Sequence, residues 1–237
     1  MKFTAYKYRI IKEKLSITKQ IVYSSYALFV FGFIILLLNT KFPLTDNILP
    51  IIAPIFIISI LFFGVAHIYQ FYDYELINCT KEGHIEFSTN EFIIDYNNKI
   101  NYEDVTDLKI NIDAYYGQTI DQYYRNPIEK KSLGVKNTIV IATWDKSFTY
   151  NFKLEHSIHT IELKKTIFNL VLSEKLGIKD AKKLIKLIPS DFNKTEDYKA
   201  FVIKQITSKK INCTEGLLLH GYKTDKEAKE LRNKYCV

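Results

Sequence analysis

Two uncharged apolar runs lie back to back near the start of the chain. The first, residues 21–40, reads IVYSSYALFVFGFIILLLNT; the second, residues 48–69, reads ILPIIAPIFIISILFFGVAHIY and meets its one ionisable group, His67, near its end. About 20 residues rising 1.5 Å each cover the ~30 Å hydrocarbon core of a bilayer, so each run predicts a transmembrane helix. A buried helix of a soluble protein usually keeps a polar face, and neither run has one. The connector, residues 41–47, leaves room only for a tight hairpin. A cleaved signal peptide is not expected, because the first apolar core exceeds the usual ~7–15 residues, no small-residue cleavage site follows it, and the second run begins at once. Ser24, Ser25, Gly32, Ser59 and Gly64 are small enough to let the helices approach. Pro50 falls in a first turn, where its missing N–H costs little, whereas Pro54 lies deeper and predicts a bend or loosening.

Charge sets the expected orientation. The net charge is +7, and it is concentrated at the ends. Residues 1–20 carry six Lys/Arg against one Glu, residues 176–237 carry 14 against 8, and the connector offers only Lys41. Cytoplasmic flanks hold the excess of Lys and Arg, so the expected protein is a multi-pass cell (inner) membrane protein with both termini cytoplasmic. The richness in Ile, Lys, Asn, Tyr and Phe fits an AT-rich, bacterial genome. Three distant cysteines, Cys79, Cys213 and Cys236, form no CxxC pair and predict reduced thiols.

After Gly83 the pattern changes to period two, the mark of half-buried strands. His84–Ser88, Phe92–Tyr96, Lys99–Tyr102, Leu108–Ile112, Asn137–Ala142 and Phe148–Leu154 make six, with Asn97-Asn98 as a hairpin turn. Phe148, Phe152, Ile139, Ile141 and Phe168 are the expected core. A helix over about 156–176 follows, with Ile158, Ile161, Phe168, Val171 and Leu172 on one stripe and Gly177 as its stop. Residues 70–79 either supply a further strand or extend the second membrane helix.

The run Gly83-x-Ile85-x-Phe87, Ile93-Ile94, Ile100-x-Tyr102-x-Asp104-Val105-x-x-Leu108, continued by Asn137-x-Ile139-x-Ile141, the 148–154 strand and the 156–176 helix, resembles bacterial pleckstrin-homology-like (PH-like) domains. The YcxB-like group, in which such a domain follows a two-helix membrane anchor, is the nearest comparison. The resemblance covers roughly residues 70–176 plus the anchor. It implies a seven-stranded fold and a binding or assembly module without catalysis. No basic cluster lies between Phe87 and Tyr102, where eukaryotic relatives hold lipid headgroups.

The expected fold is therefore an α+β membrane protein: a basic cytosolic N-terminus (1–20), a transmembrane hairpin (21–69), a PH-like antiparallel β-barrel or sandwich capped by a helix (70–176), and a basic, mostly helical region (177–237). In that last region helices are expected near 180–188, 195–210 and 224–235, the last opening on a Thr224/Glu227 capping box, with a strand or buried turn at 216–222. Two features lie outside the resemblance. The insertion 114–135 interleaves Tyr115, Tyr116, Tyr123 and Tyr124 with Arg125, and marks a ligand or partner loop. Lys179, Lys182, Lys183 and Lys186 recur at helical spacing and mark a membrane-surface face, near which each lysine is worth ~1 kcal/mol on an anionic leaflet.

Familiar catalytic chemistry is missing. No Walker loop, GxGxxG, Gly-x-Ser-x-Gly or His-Glu-x-x-His occurs, so no nucleotide, cofactor, catalytic residue or small-molecule substrate is assigned. Glu155, His156 and His159 have a spacing that could share one metal, but two histidines three apart without a third firm ligand predict no metal site. No nucleic-acid-binding motif accompanies the basic tail. The expected function is a membrane-anchored, non-catalytic binding or scaffolding protein whose partners are the lipid bilayer and a protein partner or a second copy of itself. The alternative is a membrane-bound enzyme or a stress or immunity factor with an unrecognised site.

Overall fold

The structure is a computed structural model that describes residues 2–42, 47–120 and 126–236. Seven strands form one open antiparallel sheet: β1 (Phe3–Lys14), β2 (Leu76–Phe87), β3 (Glu91–Ile94), β4 (Asn98–Asn101), β5 (Val105–Asn111), β6 (Asn137–Thr143) and β7 (Ser147–Phe152). Their spatial order is β4-β3-β2-β1-β7-β6-β5, so β4 and β5 are the edges. The long helices α1 (Ile17–Lys41) and α2 (Leu49–Tyr69) lie between β1 and β2 in sequence. After β7 come α3 (Ser157–Leu172), α4 (Ala181–Leu187), α5 (Glu196–Thr207), α6 (Cys213–His220) and α7 (Asp225–Tyr235).

The chain divides into two compact units. One comprises Met1–Arg9, Lys81–Asp113 and Lys136–Val237; the other comprises Ile10–Thr80 and Ala114–Val135. This corrects the linear partition expected from the sequence. The basic N-terminus is not a free tail: its residues 3–14 form a strand whose Phe3, Ala5 and Lys7 are buried while Thr4 and Tyr6 face out. Phe3 and Ala5 alternate with Thr4 and Tyr6, but the buried Lys7 and the exposed Arg9, Lys12 and Lys14 together have the look of a charge flank. The region 177–237 is likewise part of the sheet-containing unit, not a separate tail.

In the sheet unit, an aromatic series runs edge to face from Phe3 to Phe87 (5.5 Å), Phe87 to Phe92 (4.9 Å) and Phe92 to Tyr102 (4.8 Å). Such pairs add ~0.5–1.5 kcal/mol each beyond area burial. Burial, then the nearby Glu91 and Glu86, push the Tyr102 phenol well above its ordinary range, and its hydroxyl donates to the Ser88 carbonyl at 2.8 Å. Ile139, Ile141, Phe152 and Phe168 are buried as expected, whereas Phe148 is only half-buried. α3 keeps only part of the expected stripe: Phe168 and Val171 are buried, Ile158 and Ile161 are exposed, and Leu163, Ile167 and Leu170 complete the inner face. The tail packs through Phe192 stacked on Phe168 at 4.5 Å and through the fully buried Gln205, whose amide donates to Glu174.

Three local expectations change. The β3–β4 turn is Asp95–Asn97, with Asp95 and Tyr96 at positive φ (53° and 66°), and Asn98 already belongs to β4. Residues 213–220 form helix α6 in place of a strand or turn at 216–222, because Asn212 caps it by accepting from the Thr214 N–H at 2.9 Å. Cys213 and Cys236 are joined in a disulfide, and Cys79 is the free thiol. The helices expected near 180–188, 195–210 and 224–235 lie close to those limits as α4, α5 and α7, the last with Thr224 accepting from the Glu227 N–H at 3.2 Å, whereas α3 ends at Leu172, short of Gly177, and β2 begins at Leu76.

In the other unit, α1 and α2 are long and apolar enough to cross a membrane. Their contact follows a heptad: Thr18, Val22, Ser25 and Gly32 are buried on α1, and Ile52, Ser59 and Ala66 on α2. Ser25 Oγ donates to the Ser59 carbonyl at 2.8 Å, and Ser59 Oγ donates back to the Ser25 carbonyl at 2.9 Å. A Cβ at Gly32 would lie 3.3 Å from both Ile55 and Phe56, so glycine fixes the approach there; Gly64 faces open space. α2 continues through Pro54.

Candidate functional site

A concavity carrying both apolar and charged groups lies in the sheet unit, beside the free edge of β5. Antiparallel pairing to β6 uses one side of β5 from Val105 to Asn111. No strand among the described residues pairs with its other side. The start of that edge is covered: the Gly177 N–H donates to the Tyr102 carbonyl at 2.9 Å, and a Cβ at 177 would collide with the Glu103 carbonyl. From Asp107 onward the edge opens on a groove of about 650 Å³. It is lined by Leu108 and Ile110 of β5, Ile112 just beyond the strand, Ile167 of α3, and Leu187, Ile188 and Pro189 at the end of α4. The volume falls in the range of ordinary ligand sites, ~300–1,000 Å³.

Charge rims the groove unequally. Lys109, Lys183 and Lys186 line it against a single carboxylate, Asp107. Lys183 Nζ lies 3.3 Å from Asp107 and Lys109 Nζ 3.8 Å, with both lysine side chains more than half exposed. Exposed pairs of this kind are worth ~0–1 kcal/mol, so the rim stays positive.

α4 is where the expected lysine face falls. Asp180 caps it by accepting from the Lys182 N–H at 2.8 Å, and Ala181, Leu184 and Ile185 bury its inner side. The four lysines are all exposed and have different neighbours. Lys179 sits over the Trp144 ring at 5.9 Å, Lys182 pairs with Glu215 at 2.7 Å, and only Lys183 and Lys186 reach the groove. The Glu215 carboxylate also raises the Lys182 pKa.

The tyrosine insertion belongs to the hairpin unit. Tyr123, Tyr124 and Arg125 lie outside the described residues. The rest of the insertion packs by backbone pairing: Lys131 N–H donates to the Asp73 carbonyl at 3.0 Å, Glu75 N–H to Lys131 at 2.9 Å, and Ile120 N–H to Lys130 at 2.7 Å. Tyr116 stacks on Tyr74 at 5.3 Å, with Lys131 5.5 Å from the Tyr74 ring, and Tyr115 is half-buried. Glu129 takes hydrogen bonds from Ser16 and Lys19 at 2.6 Å each. Burial alone would raise its carboxyl pKa, but those two donors hold it below the ordinary value. Asp73 accepts from the Thr18 N–H at 2.7 Å. Asp73 and the Ser16 hydroxyl, which accepts from the Lys19 N–H at 3.3 Å, cap the first turn of α1, and both carboxylates lie at its positive end.

The histidines are engaged structurally. His156 Nδ1 accepts from the His159 N–H at 3.0 Å and caps α3. His159 Nδ1 takes the Glu155 N–H at 3.3 Å, and its Nε2 lies 2.8 Å from the Thr4 carbonyl. Among the described residues no group of three His, Cys, Asp or Glu could hold a metal.

The open β5 edge was missed by sequence reasoning. Leu108, Ile110 and Ile112 alternate with Lys109 and Asn111 as in any half-buried strand, and nothing local says which strand ends the sheet. Comparison with known proteins gave no matching family model, no matching curated protein and no matching solved structure.

Proposed function

We propose that the protein is a membrane-anchored, non-catalytic binding or scaffolding protein, with α1 and α2 crossing the inner membrane of a bacterial cell and a PH-like domain presented to the cytosol. Strand order carries this reading. β1 precedes the hairpin, β2 follows it, and the two are neighbours in one sheet. Two crossings return the chain to the side it left, as that adjacency requires; one crossing would leave β1 and β2 on opposite faces of the bilayer. The six basic residues in the first 20 favour the cytosolic face for that shared side. Seven strands followed by the packed helix α3 support the PH-like resemblance, although here the sheet is open and its first strand precedes the anchor. The free β5 edge supports binding, and His156 and His159 are engaged in a helix cap and a backbone contact.

One observation favours a second reading. The Cys213–Cys236 disulfide would persist on the oxidising side of a membrane and be reduced in most cytosols. Reporter fusions decide between them. A phosphatase active only outside the cytosol, fused after the last residue, is expected to be silent, and the same enzyme inserted in the 42–47 connector is expected to be active. The reverse pattern would place the domain outside and leave the hairpin intact. Activity at only one crossing's worth of separation, or release of the chain by alkaline carbonate, would overturn the anchor itself.

A further inference from the structure

We infer that the groove between β5 and α4 takes an extended acidic peptide segment of a partner protein, which adds to the sheet as an eighth strand. This rests on the binding-module reading above and names its ligand class. Three observations converge. Among the described residues the edge from Asp107 onward faces no strand, so its outward N–H and C=O groups are open to a peptide main chain. Leu108, Ile110 and Ile112 lie at every second position, the spacing at which an added strand presents alternate side chains to one face. Lys109, Lys183 and Lys186 outnumber Asp107 on the rim, which complements acidic residues at the intervening positions. Strand addition takes its affinity from main-chain hydrogen bonds and its specificity from pockets for alternate side chains. The expected ligand therefore alternates apolar and acidic residues over about four to six positions.

Other features of the molecule point less far. The cavity beside His84 and Tyr96 is bordered by carboxylates already paired, Glu86 with Lys2 and Glu155 with Lys153. The space beside the disulfide gathers Lys182, Lys209 and Lys210 among helices and their connectors and borders no strand edge. The exposed apolar faces of α1 and α2 belong to the membrane reading already given.

The test uses the full chain in nanodiscs of neutral lipid, panned against a random octapeptide library displayed on phage. Selected peptides are expected to alternate Asp/Glu with apolar residues and to bind more weakly as salt rises from 50 to 500 mM. The exposed double variant K109E/K186E is expected to bind them at least tenfold more weakly while melting at the same temperature as the parent. N-methylation of alternate amides along one edge of the best peptide is expected to abolish binding, and along the other edge to leave it. Equal binding by both N-methylated forms overturns strand addition. Selected peptides indifferent to K109E/K186E overturn the groove while leaving the binding-module reading standing; no selection at all counts against both. Self-association that K109E/K186E abolishes would identify a second copy as the occupant, and loss of binding to anionic vesicles alone would identify the lipid surface. Either result overturns the inference.

Discussion

Lys7 of β1 is ion-paired with Asp95 in the β3–β4 turn, across 88 residues of sequence. The Lys7 side chain is only 10% exposed, and its ammonium also lies 5.1 Å from the Tyr150 ring. Asp95 and the following Tyr96 both adopt left-handed backbone, a conformation that costs a non-glycine residue of order 1–3 kcal/mol unless its surroundings hold it. Here they do. Lys7 holds the Asp95 carboxylate, Asp95 N–H donates to the His84 carbonyl at 3.0 Å, and the Tyr96 ring lies against that of His84 at 3.6 Å.

The first prediction follows from that pair. Asp95→Asn keeps a side chain that tolerates left-handed backbone and removes the charge, leaving Lys7 buried without its counter-ion. Breaking a buried pair costs ~3–5 kcal/mol, and the partial exposure of Asp95 reduces this to about 2 kcal/mol. Lys7→Met combined with Asp95→Asn should recover most of the loss, read as thermal midpoint in detergent. Strict additivity of the two single losses would show that no such coupling exists.

Much of this architecture was legible from periodicity, and the failures share one cause. The two apolar runs, six strands, α3, α4, α5 and α7 each announce themselves within a dozen residues. β1 does not, because Lys7, Arg9, Lys12 and Lys14 look like a charged flank until Asp95 and Glu82 appear opposite them; Arg9 lies 3.4 Å from Glu82. The same holds for the disulfide, which joins cysteines 23 residues apart, and for the β5 edge, which is defined only by the absence of a neighbour. The Asp95-Tyr96 turn defeated turn chemistry outright. Asparagine is the better left-handed residue, yet tertiary partners place the turn two residues earlier. Helical spacing puts the candidate lysines on and beside α4, but their division between Trp144, Glu215 and the groove rests on contacts no spacing encodes.

Gly32 and Gly64 separate packing from composition in the hairpin. Gly32→Leu should force the helices apart, since even a Cβ would sit 3.3 Å from Ile55 and Phe56. Gly64→Leu, facing open space, should be neutral. Loss of the Ser25–Ser59 reciprocal bonds would follow in Gly32→Leu, at about 0.6–1.7 kcal/mol for each bond. Cysteine cross-linking between positions 25 and 59 in membranes reads the separation. Equal cross-linking in both variants would contradict this interface.

Glu129 predicts an acid-sensitive contact at the start of α1. Its folded pKa lies below the unfolded value, so its contribution is fully present above the ordinary carboxylate pKa and is lost as pH falls through the depressed folded value. Acidification below about pH 4.5 should therefore raise amide exchange in residues 16–20 and 129–132 before the sheet core opens. Glu129→Gln should exchange faster at neutral pH and lose that acid step. An unchanged acid profile in Glu129→Gln would assign the sensitivity elsewhere.

The Cys213–Cys236 disulfide is expected to hold α7 in place. α7 has 11 residues, none of them buried, and isolated helices shorter than ~12–15 residues are marginal in water. Its other ties are modest: Arg232 donates to Thr214 Oγ1 at 3.0 Å, and the N-terminal cap is internal to the helix. Closing a loop of this length restrains the unfolded chain by roughly 3 kcal/mol in the loop-entropy account. Reduction, or Cys236→Ser, should therefore raise amide exchange throughout residues 225–235, while α3 and α5, which bury Val171 and Val202 completely, keep their protection. Alkylation of intact cells before lysis adds the compartment. In a cytosolic domain Cys213 and Cys236 should be modified as free thiols and α7 released; in an oxidising compartment both should resist until reductant is added. Persistent protection of residues 225–235 after reduction would show that packing alone suffices to hold the helix.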